Sequence, residues 1–281
     1  AYLDLLAEME GYGEASAQLR EIHAQKTETI IESAQTEGED GWNIKDLFGG
    51  DDKEEENNDR VFTMYISGID TRGGMIAKSR SDVNILAVIN PDSRQILLVS
   101  TPRDFYVPNP AGNGAMDKLT HCGNYGIECS MDALESLYDV DIKFYGKINF
   151  YGFYAFIDAI GGITVYSDQA FKTNEGIYIQ KGENTLNGEQ ALSFARDRKH
   201  VSGGDHTRGK NQMRVIKAVV EKVTSGPTII ANYSAILESI KGMFTMSLKM
   251  SDISELVKMQ LTDMAKWNIV SYAATGTDAM E

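Results

Sequence analysis

Three apolar runs lie close together, Val61–Ile69, Val83–Ile89 and Gln95–Thr101. Each is short and rich in β-branched residues, which predicts strands rather than helices. The Asn90-Pro91-Asp92-Ser93 stretch between the second and third has turn chemistry, so these two form a hairpin at the centre of a sheet. Beyond them the hydrophobic period alternates. Met131–Tyr138 reads as a helix, Phe144–Ile148 as a strand, and Phe150–Ile160 as a helix stopped by Gly161-Gly162. A strand follows at Ile163–Tyr166, then helices at Asn187–Arg196 and from near Asp205 to Val223, ahead of Gly226-Pro227. Residues 228–245 and 251–266 read as two further helices, and Ile269–Ala273 as a last strand. Strands and helices mixed in this order predict an α/β fold with three α-β-α layers around a central mixed sheet.

The front of the chain has a different pattern. Leu3, Leu5, Leu6 and Met9 group together, and Leu19, Ile22, Ile30 and Ile31 recur at helical spacing, so residues 2–36 read as helical. From Gly49 to Arg60 the chain is Gly-, Asp-, Glu- and Asn-rich and cannot bury a core. The expected organisation is a small, mainly helical accessory segment with an acidic linker over residues 1–58, and one catalytic domain over 59–281.

Charge sharpens that division. The net charge is −14, and residues 1–60 carry 17 acids against 5 bases. An acidic chain with no basic stripe is a poor ligand for nucleic acid or anionic lipid. No run of about 18 apolar residues is present to span a bilayer. The sequence begins at Ala1 rather than Met, as expected of a fragment whose membrane anchor lies upstream. Cys122 and Cys129 are compatible with one disulfide or with two reduced thiols.

Arginine is scarce, and six of the ten, Arg72, Arg80, Arg103, Arg196, Arg198 and Arg208, fall in loops or at element ends. Functional side chains collect in such places, and arginine suits planar, bidentate contact with phosphate. Taken singly, each also reads as a solvated surface residue. Their neighbours change the balance. Asp70 precedes Arg72 and Asp82 follows Arg80. Two carboxylates a short loop apart match the habit of Mg²⁺, which takes one or two protein carboxylates plus phosphate oxygens. Both also read as turn caps. Pro102 stiffens the chain before Arg103-Asp104, and Lys118 adds a point charge. Arg196-Asp197-Arg198 ends a helix, and in extended geometry the two arginines face the same way. Asp205 opens the next helix, where Arg208 and Gln212 share a face.

In this order, Asp70, Arg72, Arg80-Ser81-Asp82, Thr101-Pro102-Arg103-Asp104, Lys118, Gly182–Leu192, Arg196-Asp197-Arg198 and Asp205…Arg208…Asn211-Gln212 resemble the LytR-CpsA-Psr family. The likeness is greatest over residues 61–225, and the acidic front end looks like part of the accessory domain of streptococcal capsule-type members. Asn211 departs from the pattern, since many members carry a further arginine there. The resemblance implies a membrane-anchored, extracytoplasmic enzyme of Gram-positive bacteria. It would be a phosphotransferase that moves a capsular or teichoic-acid type glycopolymer from polyprenyl pyrophosphate to peptidoglycan with Mg²⁺. It assigns Asp70 and Asp82 to the metal and to catalysis with Arg196 and Arg198. Arg80, Arg103, Lys118, Arg196, Arg198, Arg208 and Gln212 would bind pyrophosphate, and an apolar tunnel would take the lipid. The apolar faces of Val83–Ile89, Phe150–Ile160 and Met213–Val220 are candidates to line it, or are plain core. Which of Asp70, Asp82 and Asp104 is the base stays open. The competing readings are a lipid-pyrophosphate hydrolase using the same site and a non-enzymatic polyprenyl-phosphate-binding regulatory module.

Overall fold

The computed structural model describes residues 61–71, 77–226, 229–230 and 232–274, without the side chains of residues 205 and 206. The helical reading of 2–36 and Arg72 lie outside the described residues.

The fold is α/β, as expected. In chain order come β1 (Phe62–Ile69), β2 (Val83–Asn90) and β3 (Gln95–Thr101), then a small hairpin of β4 (Tyr106–Pro108) and β5 (Met116–Lys118). Helices α1 (Leu119–Cys122) and α2 (Ile127–Tyr138) follow, then β6 (Phe144–Asn149), α3 (Phe150–Ala159) and β7 (Ile163–Ser167). The short strands β8 (Phe171–Lys172), β9 (Tyr178–Ile179) and β10 (Gly182–Leu186) lead to α4 (Gly188–Arg196) and the long α5 (Gly204–Ser225). The described chain ends with α6 (Tyr233–Ser239), β11 (Phe244–Met246), α7 (Met250–Asp263) and β12 (Asn268–Ala273).

Six strands form the central mixed sheet in the order β11-β6-β1-β2-β3-β12. Both β1–β2 and β2–β3 are antiparallel, while β6 pairs with β1 and β12 with β3 in parallel. So β1, β3, β6 and β12 all run one way, and their carboxyl ends come out along a single edge.

Both faces of the sheet are covered, which is why β2 and β3 read as nearly unbroken apolar runs. On one face Tyr65, Leu86, Val88, Leu97 and Val99 pack against α2 and against Phe105, Val107 and Leu119 of the hairpin region. On the other face Ile85, Ala87 and Leu98 meet Met213 and Ile216 of α5. A separate core joins α3, α4 and α5 to β7, around Ile157, Phe194 and Val215. Helix α4 starts with reciprocal caps. Gln190 N donates to Asn187 Oδ1 at 2.9 Å, and Asn187 N donates to Gln190 Oε1 at 3.0 Å.

One expectation needs correction. Residues 228–245 are not one helix, because only Tyr233–Ser239 is described as α6 and Phe244–Met246 is a strand. Gly242 has φ +80°, a left-handed turn that ends helical continuation. Phe244 then pairs with Ile148, so the sheet edge decides the conformation. Of the two states left open for Cys122 and Cys129, the structure has the reduced one, with both thiols free and buried.

Candidate active site at the carboxyl end of the sheet

The residues singled out in the sequence emerge at one end of the sheet because the strand directions bring them there. Asp70 follows β1, Arg103 follows β3, and Phe150 follows β6. Antiparallel β2 begins at the same end, just after Asp82. The carboxyl ends of parallel strands are where open α/β sheets bind ligands. Asp82 N donates to Gly68 O at 2.9 Å, which fixes the Asp82 backbone against the last residues of β1.

A row of charges runs along this edge. Arg103 Nη1 lies 2.7 Å from Asp82 Oδ1, Arg103 Nε 3.4 Å from Asp104 Oδ2, and Lys118 Nζ 3.3 Å from Asp104 Oδ1. Burial alone would raise the Asp104 carboxyl, but Lys118 and Arg103 outweigh it and hold the pKa below the usual carboxylate range. The bond from Asp82 raises the Arg103 guanidinium pKa further, so Arg103 stays charged.

A second group converges from the other side. Arg196 Nη2 approaches Asp70 Oδ2 at 3.5 Å. Its guanidinium stands 4.3 Å from the centre of the Phe150 ring, a cation–π contact. Glu175 accepts a short hydrogen bond from the Ser193 hydroxyl, and that bond with the nearby Arg196 charge lowers its pKa.

Asp197 between the two arginines is 1 % exposed, and its carboxylate accepts from His200 N at 2.9 Å, His200 Nδ1 at 2.9 Å and Asn174 N at 3.1 Å. Burial pushes its pKa up, but these bonds prevail and the net shift is downward. Its backbone is extended, with φ −69° and ψ 130°, so burying Asp197 leaves Arg196 and Arg198 both exposed beside it.

Between this edge and the helical layer lies a half-open, mainly apolar cleft. Ile66, Val83 and Ile85 form its floor, and Phe153, Val215 and Ile216 line it from α3 and α5. Arg196, Gln212 and Asn149 are its polar members. All three apolar faces singled out in the sequence contribute to it. Gly68 belongs to the lining, and a β-carbon there would lie 2.9 Å from Val83 Cβ, so glycine keeps strands β1 and β2 close at the cleft.

Arg80 is exposed on the β1–β2 connection. That connection is tied to α1 by Ser79 N donating to Gly123 O at 3.0 Å and Ser81 N to Thr120 O at 3.4 Å. A β-carbon on Gly123 would collide with Ser79 O, so only glycine permits this approach. Lys147, 4 % exposed, donates from Nζ to Ala77 O at 2.9 Å and braces the same connection from beneath.

Arg208 and Gln212 lie on the first half of α5, and Gln212 reaches the cleft. Asp205 is in the first turn of that helix, its side chain outside those described. Asn211, at the departure from the family pattern, is buried and accepts from Arg214 Nη1 at 3.1 Å, a packing role rather than a ligand-facing one.

Sequence reasoning placed Phe150 on a candidate apolar lining but missed its contact with Arg196, and it missed Glu175 and Lys147. The junction of β6 with α3 at Asn149-Phe150 was a signal for the first. Nothing local marked the other two.

Asp70 and Asp82 are hard oxygen donors at one end of the sheet, each beside an arginine. No cluster of three or more His, Cys, Asp or Glu suited to a metal occurs among the described residues. Such a donor pair fits Mg²⁺ whose remaining ligands are water and phosphate oxygens, and does not suit a metal that needs an all-protein cage.

The chain belongs to the LytR-CpsA-Psr family, whose model, described as the LytR_cpsA_psr family, matches residues 11–281. It is 36% identical over 202 residues to the polyisoprenyl-teichoic acid–peptidoglycan teichoic acid transferase TagU of Enterococcus faecalis, an alignment covering 71% of this chain and 66% of that protein. The chain thus spans just under two thirds of that relative's length. Among solved structures, TagV of B. subtilis superposes with a TM-score of 0.66 at 27% identity, covering 79% of this chain and 87% of the other. TagT bound to LI-WTA superposes with a TM-score of 0.63 at 26% identity, covering 82% and 84%.

Proposed function

We propose that this domain is a phosphotransferase that moves a teichoic-acid or capsule-type glycopolymer from a polyprenyl pyrophosphate carrier to peptidoglycan. One observation carries the reading. An apolar cleft ends at Arg196 and Gln212, beside Asp70 and the row Asp82–Arg103–Asp104–Lys118. A lipid chain with a pyrophosphate head has that polarity and that order of parts. The names of TagU and TagT point the same way.

Phosphoryl transfer asks the protein chiefly for positioning and for neutralisation of charge on the phosphate oxygens. Arg103, Arg196, Arg198, Arg208, Arg80, Lys118 and Gln212 bind and orient the pyrophosphate. Asp70 and Asp82 would hold Mg²⁺, which would supply further neutralisation of the phosphate oxygens. The acceptor hydroxyl attacks the sugar-bearing phosphorus, the bridging P–O bond breaks, and polyprenyl phosphate leaves with the electron pair. A carboxylate takes the hydroxyl proton. Lys118 and Arg103 hold the Asp104 pKa down, which weakens Asp104 as a base. The substrate class locates the work on the outer face of the cytoplasmic membrane, and the family's anchor would hold the domain there. Among the described residues no helix is long and apolar enough to cross a membrane.

The test is product analysis. With Mg²⁺, a sugar-bearing polyprenyl pyrophosphate and peptidoglycan fragments, mass spectrometry should find the sugar phosphate joined to the acceptor, and Arg196→Ala should abolish it. Free sugar phosphate in place of the adduct would make the protein a hydrolase. Tight lipid binding with no turnover would make it a binding module.

A further inference from the structure

The cleft and the β4–β5 hairpin lie on opposite faces of the sheet. Ile66, Val83 and Ile85 of the cleft point toward α5, while Phe105 and Val107 of the hairpin pack with Leu86, Val88 and α2 on the other side. The charged edge between them bridges the two. A ligand whose apolar part occupies the cleft and whose phosphates lie on the edge must therefore continue toward the hairpin.

The hairpin's free face has a composition suited to a sugar attached beyond the phosphates. Tyr106 pairs in register with Lys118, and Pro108 with Met116. Directly opposed residues in an antiparallel pair present their side chains side by side on one face. The alternate residue Val107 is buried, so this face is the outward one. Tyr106 is 57 % exposed and Met116 46 %, an aromatic and a thioether standing in solvent beside the last cation of the row. A lone exposed tyrosine is ordinary. This one stands at the point where the charged row ends, opposite the lysine that pairs with Asp104.

We propose that Tyr106 is a specificity-determining residue, a platform on which the first sugar of the pyrophosphate-linked glycan stacks, with Lys118 beside it on the sugar-proximal phosphate. This rests on the head-group reading of the cleft and its charged edge. A tyrosine offers a flat apolar surface to the C–H face of a pyranose and a phenol to its hydroxyls. It reads the presence of a ring rather than one pattern of hydroxyls, as suits the first unit of a polymer.

The test compares two soluble probes on the full chain with Mg²⁺, farnesyl pyrophosphate and farnesyl pyrophosphate carrying one N-acetylhexosamine. Tyr106→Ala should weaken the sugar-bearing probe by about tenfold and shift the sugar-free probe by less than about twofold. Tyr106→Trp should restore the difference. Equal losses for both probes, or none for either, would overturn the platform while leaving the head-group site intact. Loss of retention on anionic vesicles, with both soluble probes unchanged, would overturn it in favour of a membrane-contact edge. Failure of the unaltered protein to bind either probe would remove the head-group reading and the platform with it.

Discussion

Arg103 donates from Nη1 to Asp82 Oδ1 at 2.7 Å, joining the second residue after β3 to the residue before β2. The contact sits at the mouth of the sheet, half open to water, so its worth to folding is small and its worth to charge placement is large. Removing Asp82 leaves Arg103 with Asp104 as its remaining acidic partner and deletes a proposed metal ligand at once. Asp82→Ala should lower transfer by about 10²–10³-fold, in the range seen for loss of one electrostatic donor. It should change stability by less than about 1 kcal/mol, as exposed pairs do. Turnover in added Mg²⁺, read beside a thermal melt, separates the two effects.

Phe150 underlies Arg196 at 4.3 Å. Phe150→Leu keeps an apolar residue at the cleft but removes the ring face. Binding of farnesyl pyrophosphate should weaken by about three- to fivefold, the worth of a partly solvated cation–π contact. Phe150→Tyr should leave it unchanged. Isothermal titration of the three proteins checks this, and an equal loss in both variants would assign Phe150 to lipid packing alone.

Ala195 lines the cleft among larger apolar neighbours. Ala195→Leu should narrow it at a cost of about 1–3 kcal/mol in stability. Affinity should then fall more steeply for longer polyprenyl phosphates than for short ones, with inorganic pyrophosphate unaffected. A loss independent of chain length would mean that the lipid lies elsewhere.

Asp197 is held below its ordinary pKa by His200 and Asn174 against the opposing effect of burial. A depressed folded pKa contributes stability that is fully present above the unfolded value, about 3.9. That contribution is lost as pH falls from there through the folded value. Asp197→Asn should cost about 2 kcal/mol at neutral pH and flatten the acid limb of the stability curve below pH ~4. Denaturant melts across that range measure both.

Burial, with the neighbouring Cys129, pushes the Cys122 thiol up to about 12. Only the thiolate is nucleophilic. Iodoacetamide at pH ~8 should therefore leave Cys122 unmodified in the folded protein and label it after unfolding, as peptide mass mapping would show. Labelling of the native protein would place the thiol nearer solvent.

Much of the fold was legible because Val83–Ile89 and Gln95–Thr101 are covered on both faces and so read as continuous apolar runs. What escaped is structure set by distant partners. Gly182–Leu186 is polar enough to read as loop, and becomes a strand by pairing with β7. Phe244–Met246 extends along β6 for the same reason. The candidate site was legible through Asp70, Asp82, Arg103 and Arg196, because each sits at the end of a recognisable element. The ring beneath Arg196, the carboxylate of Glu175 and the brace from Lys147 were not, since each depends on contacts between segments far apart in sequence.

The two outermost strands of the sheet, β11 and β12, both come from the chain beyond Gly242, yet they flank opposite sides of a centre built from β1, β2, β3 and β6, all within residues 62–149. Assembly therefore joins parts of the chain that emerge at very different times. Such long-range closure slows folding and leaves the outer edges of β6 and β3 unpaired until residues 244–273 have been made. Because β6 leads into Phe150 and β3 into Arg103, the proposed phosphate-binding edge rests on strands whose outer partners are the last to be made among the described strands.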